Sequence, residues 1–316
     1  MLREIQSWRV SAEDRGMNLT HLQSLPKDRV RALFGLEPAA LGELLAAVLP
    51  PLVEKRHAQQ QAKKDRKRAV GGGRRRRLLP YQEVLITLVY LRHNVSHAVC
   101  GQMFNVSADI SENSFHAVIL LLREVCPADR FDAEKKWTKR EPSWHPDTLD
   151  LILVDSFETP IGRSSLPDVQ RKFYSGKKKR HTIKTQIITN KQGEVLSIEP
   201  GHPGPKSDKK LYEGSRAKEQ YPQAARRADL AYVGVPEMLL PHKKPRGGQL
   251  TPEQKEENRH AASARVPVEH GVRRVKAWRI LRDEYRLAQG LFPLIALATV
   301  GLVHLSRVVT GASVPG

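Results

Sequence analysis

The sequence predicts an α/β domain in the second half of the chain, preceded by an all-α region. Residues 80 to 126 carry apolar side chains at three- and four-residue spacing, which is typical of amphipathic helices. From residue 150 onward, short apolar and alternating runs typical of strands precede longer helical stretches. We therefore divide the chain into a helical region (1–54), a basic arm or linker (55–79), a second helical region (80–147) and an α/β domain (148–310).

The composition indicates a globular, strongly basic protein. Its 316 residues are 40% hydrophobic, and 53 Lys and Arg oppose 34 Asp and Glu, a formal charge of +19. Such an excess predicts a polyanionic partner, because clustered cations release counterions from phosphates. The alternative is a generally basic, solvated surface. Two cysteines exclude a disulfide scaffold. The longest apolar stretch, Leu291 to Val303, is shorter than the ~20 residues of a membrane span, so we expect no membrane partner.

The basic stretch lies between the two helical regions. A helical pattern over Ala39 to Leu49 precedes Pro50 and Pro51, which are expected to end it. From Lys55 to Arg77 the only acid is Asp65, so this stretch cannot form a core of its own. We expect a mobile arm that contacts DNA phosphates; the alternative is a solvating linker. The cations at its end are Arg74, Arg75, Arg76 and Arg77.

Three helices are predicted over residues 80 to 126. Pro80 begins the first, Ser96 caps the second, and Ser111 starts the longer third helix. This order is that of a helix-turn-helix DNA-binding region, whose last helix enters the major groove. Asn113 and His116, near the start of that helix, are then expected to face DNA. A dimerisation bundle is the alternative.

Three carboxylates from separated segments are candidate metal ligands. Asp155 is predicted to end the apolar strand Leu151 to Val154, and Asp229 and Glu269 lie farther along the chain. Three such acids could hold two divalent cations, which activate water and stabilise both reacting oxygens of a phosphodiester.

A hairpin is predicted between these acids. Strands over His181 to Thr189 and Glu194 to Glu199 are joined by a turn at Lys191 to Gly193. The cations just before the hairpin are either an exposed turn or a phosphate-binding group beside Asp155. They are Lys177, Lys178, Lys179 and Arg180.

The run from Tyr174 to Lys184 resembles the signature of DDE transposases of bacterial insertion sequences. The branch it resembles is the IS-five-like one, related to the eukaryotic Harbinger transposases. Four further segments follow in the order of that family. They are Gly204 to Asp208, Ala228 and Asp229 with Tyr232, His242 to Gly247, and Arg265 with Glu269 and Lys276.

This resemblance implies an RNase H-like catalytic domain with a three-carboxylate site that holds two Mg²⁺ ions, with Mn²⁺ as a substitute. Asp155 would be the first acid, Asp229 the second and Glu269 the third, with Asp208 as an alternative second acid. Pro267 is tolerated if the helix of Glu269 starts there, in which case Arg265 lies before the helix. Further residues are expected to bind DNA. They are Arg265, Lys276, Lys243 and Lys244.

The implied function is that of a transposase. It would bind the terminal inverted repeats of its element, cut phosphodiester bonds at the ends and join the 3′-hydroxyl to target DNA. The expected partner is double-stranded DNA, bound by a homodimer or higher oligomer, in the bacterial cytoplasm at the nucleoid. The alternatives are a catalytically silent DNA-binding protein and an RNase H-fold nuclease without strand transfer.

Overall fold

The computed structural model describes residues 19–62 and 76–311. Arg74, Arg75 and most of the predicted arm therefore lie outside the described residues. The first half of the described chain is helical, as the apolar spacing predicts. Its helices are α1 (Leu19–Ser24), α2 (Lys27–Phe34), α3 (Pro38–Gln61), α4 (Pro80–His93), α5 (His97–Phe104), α6 (Ala108–Val125) and α7 (Arg130–Thr138).

Helix α3 corrects one prediction, because it continues through Pro50 and Pro51 to Gln61. Proline removes a backbone donor and usually ends or kinks a helix. Here Val48 and Leu52, on either side of the prolines, are both buried in the core, and this packing favours a continuous helix. The expected boundary at residue 54 therefore lies inside a helix. Arg56, predicted to lie in the basic arm, is buried in that helix and pairs with Glu83 of α4.

Caps set the ends of the next helices. Pro80 is the first residue of α4, and the hydroxyl of Ser96 accepts a hydrogen bond from Val99 N at 3.3 Å, both as predicted. Helix α6 begins at Ala108, earlier than expected, because Ser107 caps it. Ser111 is buried inside α6, where its hydroxyl contacts Nδ1 of His97 at 3.0 Å.

The second half contains one mixed sheet with β1 near its centre. Strand β1 pairs antiparallel with β3 and parallel with β5, while β2 and β4 both pair with β3 and β6 pairs with β5. The predicted β3–β4 hairpin is confirmed. The strands are β1 (Leu151–Pro160), β2 (Tyr174–Ser175), β3 (Arg180–Asn190), β4 (Val195–Pro203), β5 (Ala225–Arg227) and β6 (Met238–Leu239).

Strand β1 does not end at Asp155, contrary to the prediction. It runs to Pro160 because its second half stays paired with β3, where Pro160 lies opposite Thr182. Phe157 and Thr159 in this half are buried, which the polar residues between them conceal in the sequence. Asp155 therefore lies in the middle of a long strand.

Two hydrophobic clusters lie on the two faces of the sheet. Leu153, Phe157 and Ile187 point into a large core shared with the N-terminal helices. Ile152, Val154 and Ile188 pack in a smaller cluster with Tyr212 and Tyr232. The helices of this half are α8 (Pro167–Phe173), α9 (Asp208–Glu213), α10 (Ala217–Gln220), α11 (Pro252–Ser263), α12 (Val266–Lys276) and α13 (Phe292–Thr310).

Helix α13 is the long apolar element at the end of the described chain. The stretch Gln289–Thr310 is long and apolar enough to cross a membrane, and 61% of its apolar window is buried inside the protein. The core helices of soluble proteins have the same properties. Helices α2 and α3 are bent by 52° relative to each other, and they are long and apolar enough to cross a membrane only if the two are counted as one span.

Candidate active site on the sheet

The register of the sheet gives Asp155 and Asp229 equivalent positions after the parallel pairing of β1 with β5. In the parallel pair, Leu151 of β1 lies opposite Ala225 and Leu153 lies opposite Arg227 of β5. Asp155 and Asp229 each follow two residues after the last of these pairs. Because side chains alternate between faces, both acids belong to the sheet face of Leu153, which α12 covers.

Asp155 is held in an environment that disfavours its charge. Burial, together with the nearby carboxylates of Asp229 and Asp208, raises its pKa to about 6. Two contacts act in the opposite direction. The backbone N–H of Ser156 donates to Asp155 Oδ1 at 2.7 Å, and Arg265 Nη2 lies 3.8 Å from Asp155 Oδ2.

Asp229 caps a short turn directly after β5. Its Oδ1 accepts a hydrogen bond from Ala231 N at 2.9 Å, which begins the 3₁₀ turn Leu230–Tyr232. One carboxylate oxygen is thereby fixed by the backbone. The charge of Asp229 contributes to the raised pKa of Asp155. Both acids lie just past the parallel pairing of β1 with β5, in a region where α/β proteins commonly form their sites.

The start of helix α12 brings one predicted residue, Arg265, to this face. Arg265 is the N-terminal cap residue of α12 and contacts Asp155, so it reaches the site although it precedes the helix. Pro267 is tolerated near the start of the helix. Glu269 lies in the first helical turn with an exposed side chain. Its role as the third acid stays a prediction.

The donor set fits a divalent ion in part. Carboxylate oxygens are the ligands that Mg²⁺ prefers, and a cation would stabilise the Asp155 carboxylate, whose pKa is raised by burial and by the neighbouring acids. Over residues 19–62 and 76–311, however, no three His, Cys, Asp or Glu side chains are grouped as a metal ion would require. The assignment of Asp155, Asp229 and Glu269 as metal ligands therefore stays a prediction.

Asp208, the alternative second acid, contributes to the raised pKa of Asp155 as Asp229 does, but its hydrogen bonds go elsewhere. The hydroxyl of Ser156, on the strand face opposite Asp155, donates to Asp208 Oδ1 at 2.5 Å. Nζ of the buried Lys184 donates to the same oxygen at 3.1 Å and to the Lys206 carbonyl at 2.6 Å. Asp208 is thus engaged in a network that ties the loop before α9 to β1 and β3. No pattern in the sequence predicts the contact between Lys184 and Asp208.

Tyr232 is a site residue to which the sequence assigned no role. Its ring is buried, and its hydroxyl has no hydrogen-bond partner in the described part of the chain. Burial raises its pKa well above the ordinary value, and the charges of Asp208, Asp155 and Asp229 add to this effect. A neutral phenol therefore lies close to all three acids. Its position three residues after Asp229 was the only signal available.

Cations border the site at the far end of α12. Nζ of Lys276 lies 5.4 Å from the centre of the Phe157 ring. Burial lowers the pKa of Lys276, and the nearby Lys178 lowers it further. The predicted turn is observed with exposed side chains, and Lys178 lies in it. Its members are Lys177, Lys178, Lys179 and Arg180.

A second basic loop carries Lys243 and Lys244, both exposed. Asn258 of α11 holds the backbone of this loop at His242. Its Oδ1 accepts from His242 N at 2.6 Å, and its Nδ2 donates to His242 O at 3.0 Å. The His242 ring also contacts Glu257 of the same helix. The loop is therefore fixed against α11, while its two lysines are exposed.

Helix α6 has the two faces that a recognition helix needs. Phe115, Val118, Ile119 and Leu122 are buried, as predicted. Glu112, Asn113 and His116 are exposed. Asn113 also lines a cavity of about 540 Å³ together with Arg76 and Arg77. Arg76, in addition, lies 3.9 Å from Glu83.

Comparison with known families matches both halves of this arrangement. Residues 76–127 match the helix-turn-helix of DDE superfamily endonucleases, and residues 154–304 match the DDE superfamily endonuclease itself. The chain belongs to the DDE endonuclease superfamily. The first match contains α4 to α6, and the second begins in β1, one residue before Asp155, and ends in α13.

The curated relatives of this DDE superfamily protein are insertion-sequence transposases. A transposase for insertion sequence element IS702 of Microchaete diplosiphon is 33% identical over 172 residues, which are 52% of this chain and 60% of that protein. One for element IS112 of Streptomyces albus G is 25% identical over 209 residues, 65% of this chain and 72% of that protein. The match thus spans about three fifths of the length of the first relative. No solved structure matches the chain.

Proposed function

We propose that this DDE superfamily protein is the transposase of an insertion sequence. It binds the terminal inverted repeats of its element through α4 to α6, cleaves phosphodiester bonds at the ends and joins the 3′-hydroxyl to target DNA. The observation that carries this proposal is the pair Asp155 and Asp229, which the sheet register aligns beside Arg265. The order of antiparallel and parallel strands around β1 supports an RNase H-like catalytic domain.

Asp155 and Asp229 are the residues that would hold the metal, with Glu269 as the expected third ligand. Two bound Mg²⁺ ions, or Mn²⁺, would activate the attacking oxygen and stabilise the leaving oxygen. The chain's own residues orient the substrate. Arg265 holds the carboxylate of Asp155, and Lys276 with Lys178 offers charge to the DNA phosphates beside it.

The proposed DNA-binding surface includes the exposed start of α6 and the basic loop that follows β6. Asn113 and His116 would read base edges from the exposed face of α6, because side chains near the start of a recognition helix reach the major groove. Lys243 and Lys244 would contact phosphates. Two catalytic units are needed to join two ends, so we expect a homodimer or higher oligomer on DNA.

Incubation of the full chain with supercoiled DNA that carries the native element ends tests the proposal. Wild-type protein should cut at the ends with Mg²⁺ and not with EDTA, and the products should include joined ends. Asp155→Asn and Asp229→Asn should each abolish cleavage while DNA binding stays within about twofold, because metal-binding acids act as a unit.

The products distinguish a transposase from a nuclease without strand transfer and from a silent DNA-binding protein. Cleavage without joining would indicate a nuclease, and binding without cleavage under any metal would indicate a silent DNA-binding protein. Glu269→Gln is the informative third variant, since its side chain is exposed and its role as a ligand rests on the resemblance. Full activity of that variant would remove Glu269 from the proposed ligand set.

A further inference from the structure

A second concave surface of the protein lies on the side of α12 that faces α13 and the N-terminal helices. It is a cleft of about 690 Å³ between α2, the start of α3, and the ends of α4, α12 and α13. The acids of the candidate site do not line it. Its charged lining residues are Lys27, Arg31, Glu37, Arg92, Arg274 and Arg307.

Cations in this cleft greatly outnumber acids. Glu37 is the only acid in the lining, and it lies 3.3 Å from Arg31. Arg307 pairs at 3.3 Å with Glu194, which is outside the cleft, and its buried Nε has no hydrogen-bond partner among the described residues. The cleft thus keeps an excess of positive charge.

The fold holds these cations close to one another. Burial lowers the pKa of Arg92, and Arg31 and Arg282 lower it further. Burial and then Arg307 lower the pKa of Arg274. An anion between these groups would remove their mutual repulsion.

The guanidinium groups are fixed before any ligand arrives. Arg92 Nη1 donates to the Ala277 carbonyl at 2.6 Å, and the group lies 5.9 Å from the centre of the Trp278 ring. Arg274 Nη1 donates to the Gly193 carbonyl. Each arginine has five N–H donors, so most donors stay available. Such preorganisation lowers the entropy cost of binding.

We propose that this cleft binds phosphate groups of the DNA backbone, as a second DNA contact apart from the acid site and the helix-turn-helix. The inference rests on the proposed function, because it takes DNA as the substrate. The ligand is recognised by charge and not by base stacking, since Trp278 is buried beneath Arg92 and only 3% exposed.

A path of cations leads from the cleft toward the acid site, which favours DNA over a free anion. Arg92 of the cleft donates to the carbonyl of Ala277, and the adjacent Lys276 lies 5.4 Å from the Phe157 ring. Arg282 is near enough to influence both Arg92 in the cleft and Lys276 beside Phe157. Lys276 in turn is influenced by Lys178 in the basic turn. A DNA strand that leaves the acids along this path would reach the cleft.

The test uses the full chain with Lys27→Gln and Arg31→Gln combined, because both residues are exposed and their loss should not disturb folding. The matched control combines Lys135→Gln and Lys139→Gln at the end of α7. Lys135 pairs with Glu141, as Arg31 does with Glu37, and both control residues are exposed. The two variants lose equal charge.

Binding to random-sequence duplex DNA is measured as a function of salt. The cleft variant should reduce the slope of log K against log salt by about 1 to 2 relative to wild type, since each lost phosphate contact removes about 0.9. The control should keep the wild-type slope. A variant that keeps both positive charges, Lys27→Arg combined with Arg31→Lys, should bind DNA as wild type does.

Other outcomes overturn the assignment. Equal slopes for the cleft variant and the control would exclude the cleft from DNA binding while leaving the proposed function intact. Stabilisation of wild type by inorganic tripolyphosphate, with DNA binding unaffected by the cleft variant, would assign the cleft to a free polyphosphate. Failure of wild type to bind DNA at all would overturn both proposals.

Discussion

Asp155 is a carboxylic acid whose ionised form the fold disfavours, and this has a measurable effect on stability. Burial raises its pKa from 3.8 to about 6. Between these values the folded protein binds the proton and the unfolded chain does not, so the free energy of unfolding falls as pH rises from about 4 to about 6. The loss is at most about 3 kcal/mol, at 1.36 kcal/mol per pKa unit.

Without divalent ions, Asp155→Asn should therefore have a higher Tm than wild type at pH 7.5, and the difference should vanish near pH 4. Thermal unfolding of both proteins across this range measures it. Asp150→Asn is the control, because Lys191 lowers the pKa of that exposed carboxyl and its neutralisation should bring no gain. A lower Tm for Asp155→Asn at pH 7.5 would contradict the assigned environment.

Asp208 differs from Asp155 in that its charge is compensated. Removal of its charge leaves the ammonium of Lys184, whose side chain is only 8% exposed, without its carboxylate. Asp208→Asn should reduce the free energy of unfolding by ~3 kcal/mol, the lower range for breaking a buried ion pair. Urea unfolding measures the loss.

The double variant Lys184→Met with Asp208→Leu serves as its control. It should recover much of the stability, because no charge is then left buried. If Asp208→Asn leaves stability unchanged but abolishes cleavage, Asp208 and not Asp229 is the second metal ligand.

At the scale of single elements, the close packing of α12 on β3 determines where Arg265 lies. A Cβ at Gly271 would be 2.6 Å from Thr189 Cγ2, so α12 can approach the sheet only with glycine at this position. Gly271→Ala should therefore destabilise the fold by ~1–3 kcal/mol, as overpacking does.

The same change should displace Arg265 from Asp155 and lower the rate of end cleavage. Denaturant unfolding and the cleavage assay measure the two effects. Gly290→Ala provides the comparison, since nothing lies within 4 Å of a Cβ there, and it should change neither quantity. Normal cleavage by Gly271→Ala would separate the packing of α12 from the function of Arg265.

The sequence predicted elements well where local signals decide them. Ser96 caps α5, Pro80 starts α4, and the Lys191 to Gly193 turn joins β3 to β4, because capping and turn formation depend on a few adjacent residues. Predictions were wrong where distant packing decides. Helix α3 passes through two prolines since both sides are buried, and β1 continues past Asp155 because β3 stays paired with it.

The candidate site shows the same division. Parallel pairing of β1 with β5 aligns Asp155 with Asp229, which no spacing along the chain reveals. The hydrogen bond from Ser156 to Asp208 depends on strand alternation, which follows from register. The sequence provides the candidate acids, and the choice between Asp229 and Asp208 as second ligand stays a prediction.

At the scale of the whole molecule, the helical and α/β regions share one hydrophobic core. The larger cluster joins Leu44 of α3 and Phe115 of α6 to Leu153 of β1 and Ile295 of α13. Helix α13 packs against α3, α6, α7 and β4. The expected boundary near residue 147 therefore divides the sequence without dividing the core.

A shared core predicts that the described regions unfold together. Calorimetry of the full chain should show one transition, with equal calorimetric and van't Hoff enthalpies. Leu302→Ala shortens a buried side chain of α13 and should reduce the free energy of unfolding by ~2–5 kcal/mol. The midpoint temperature should fall accordingly, and the transition should stay single. A fragment of residues 148–310 should bind a hydrophobic dye, because removal of the N-terminal helices uncovers the side of α13 that they contact. Two resolved transitions in the full chain, or a fragment that unfolds cooperatively without dye binding, would show instead that each region folds around a core of its own.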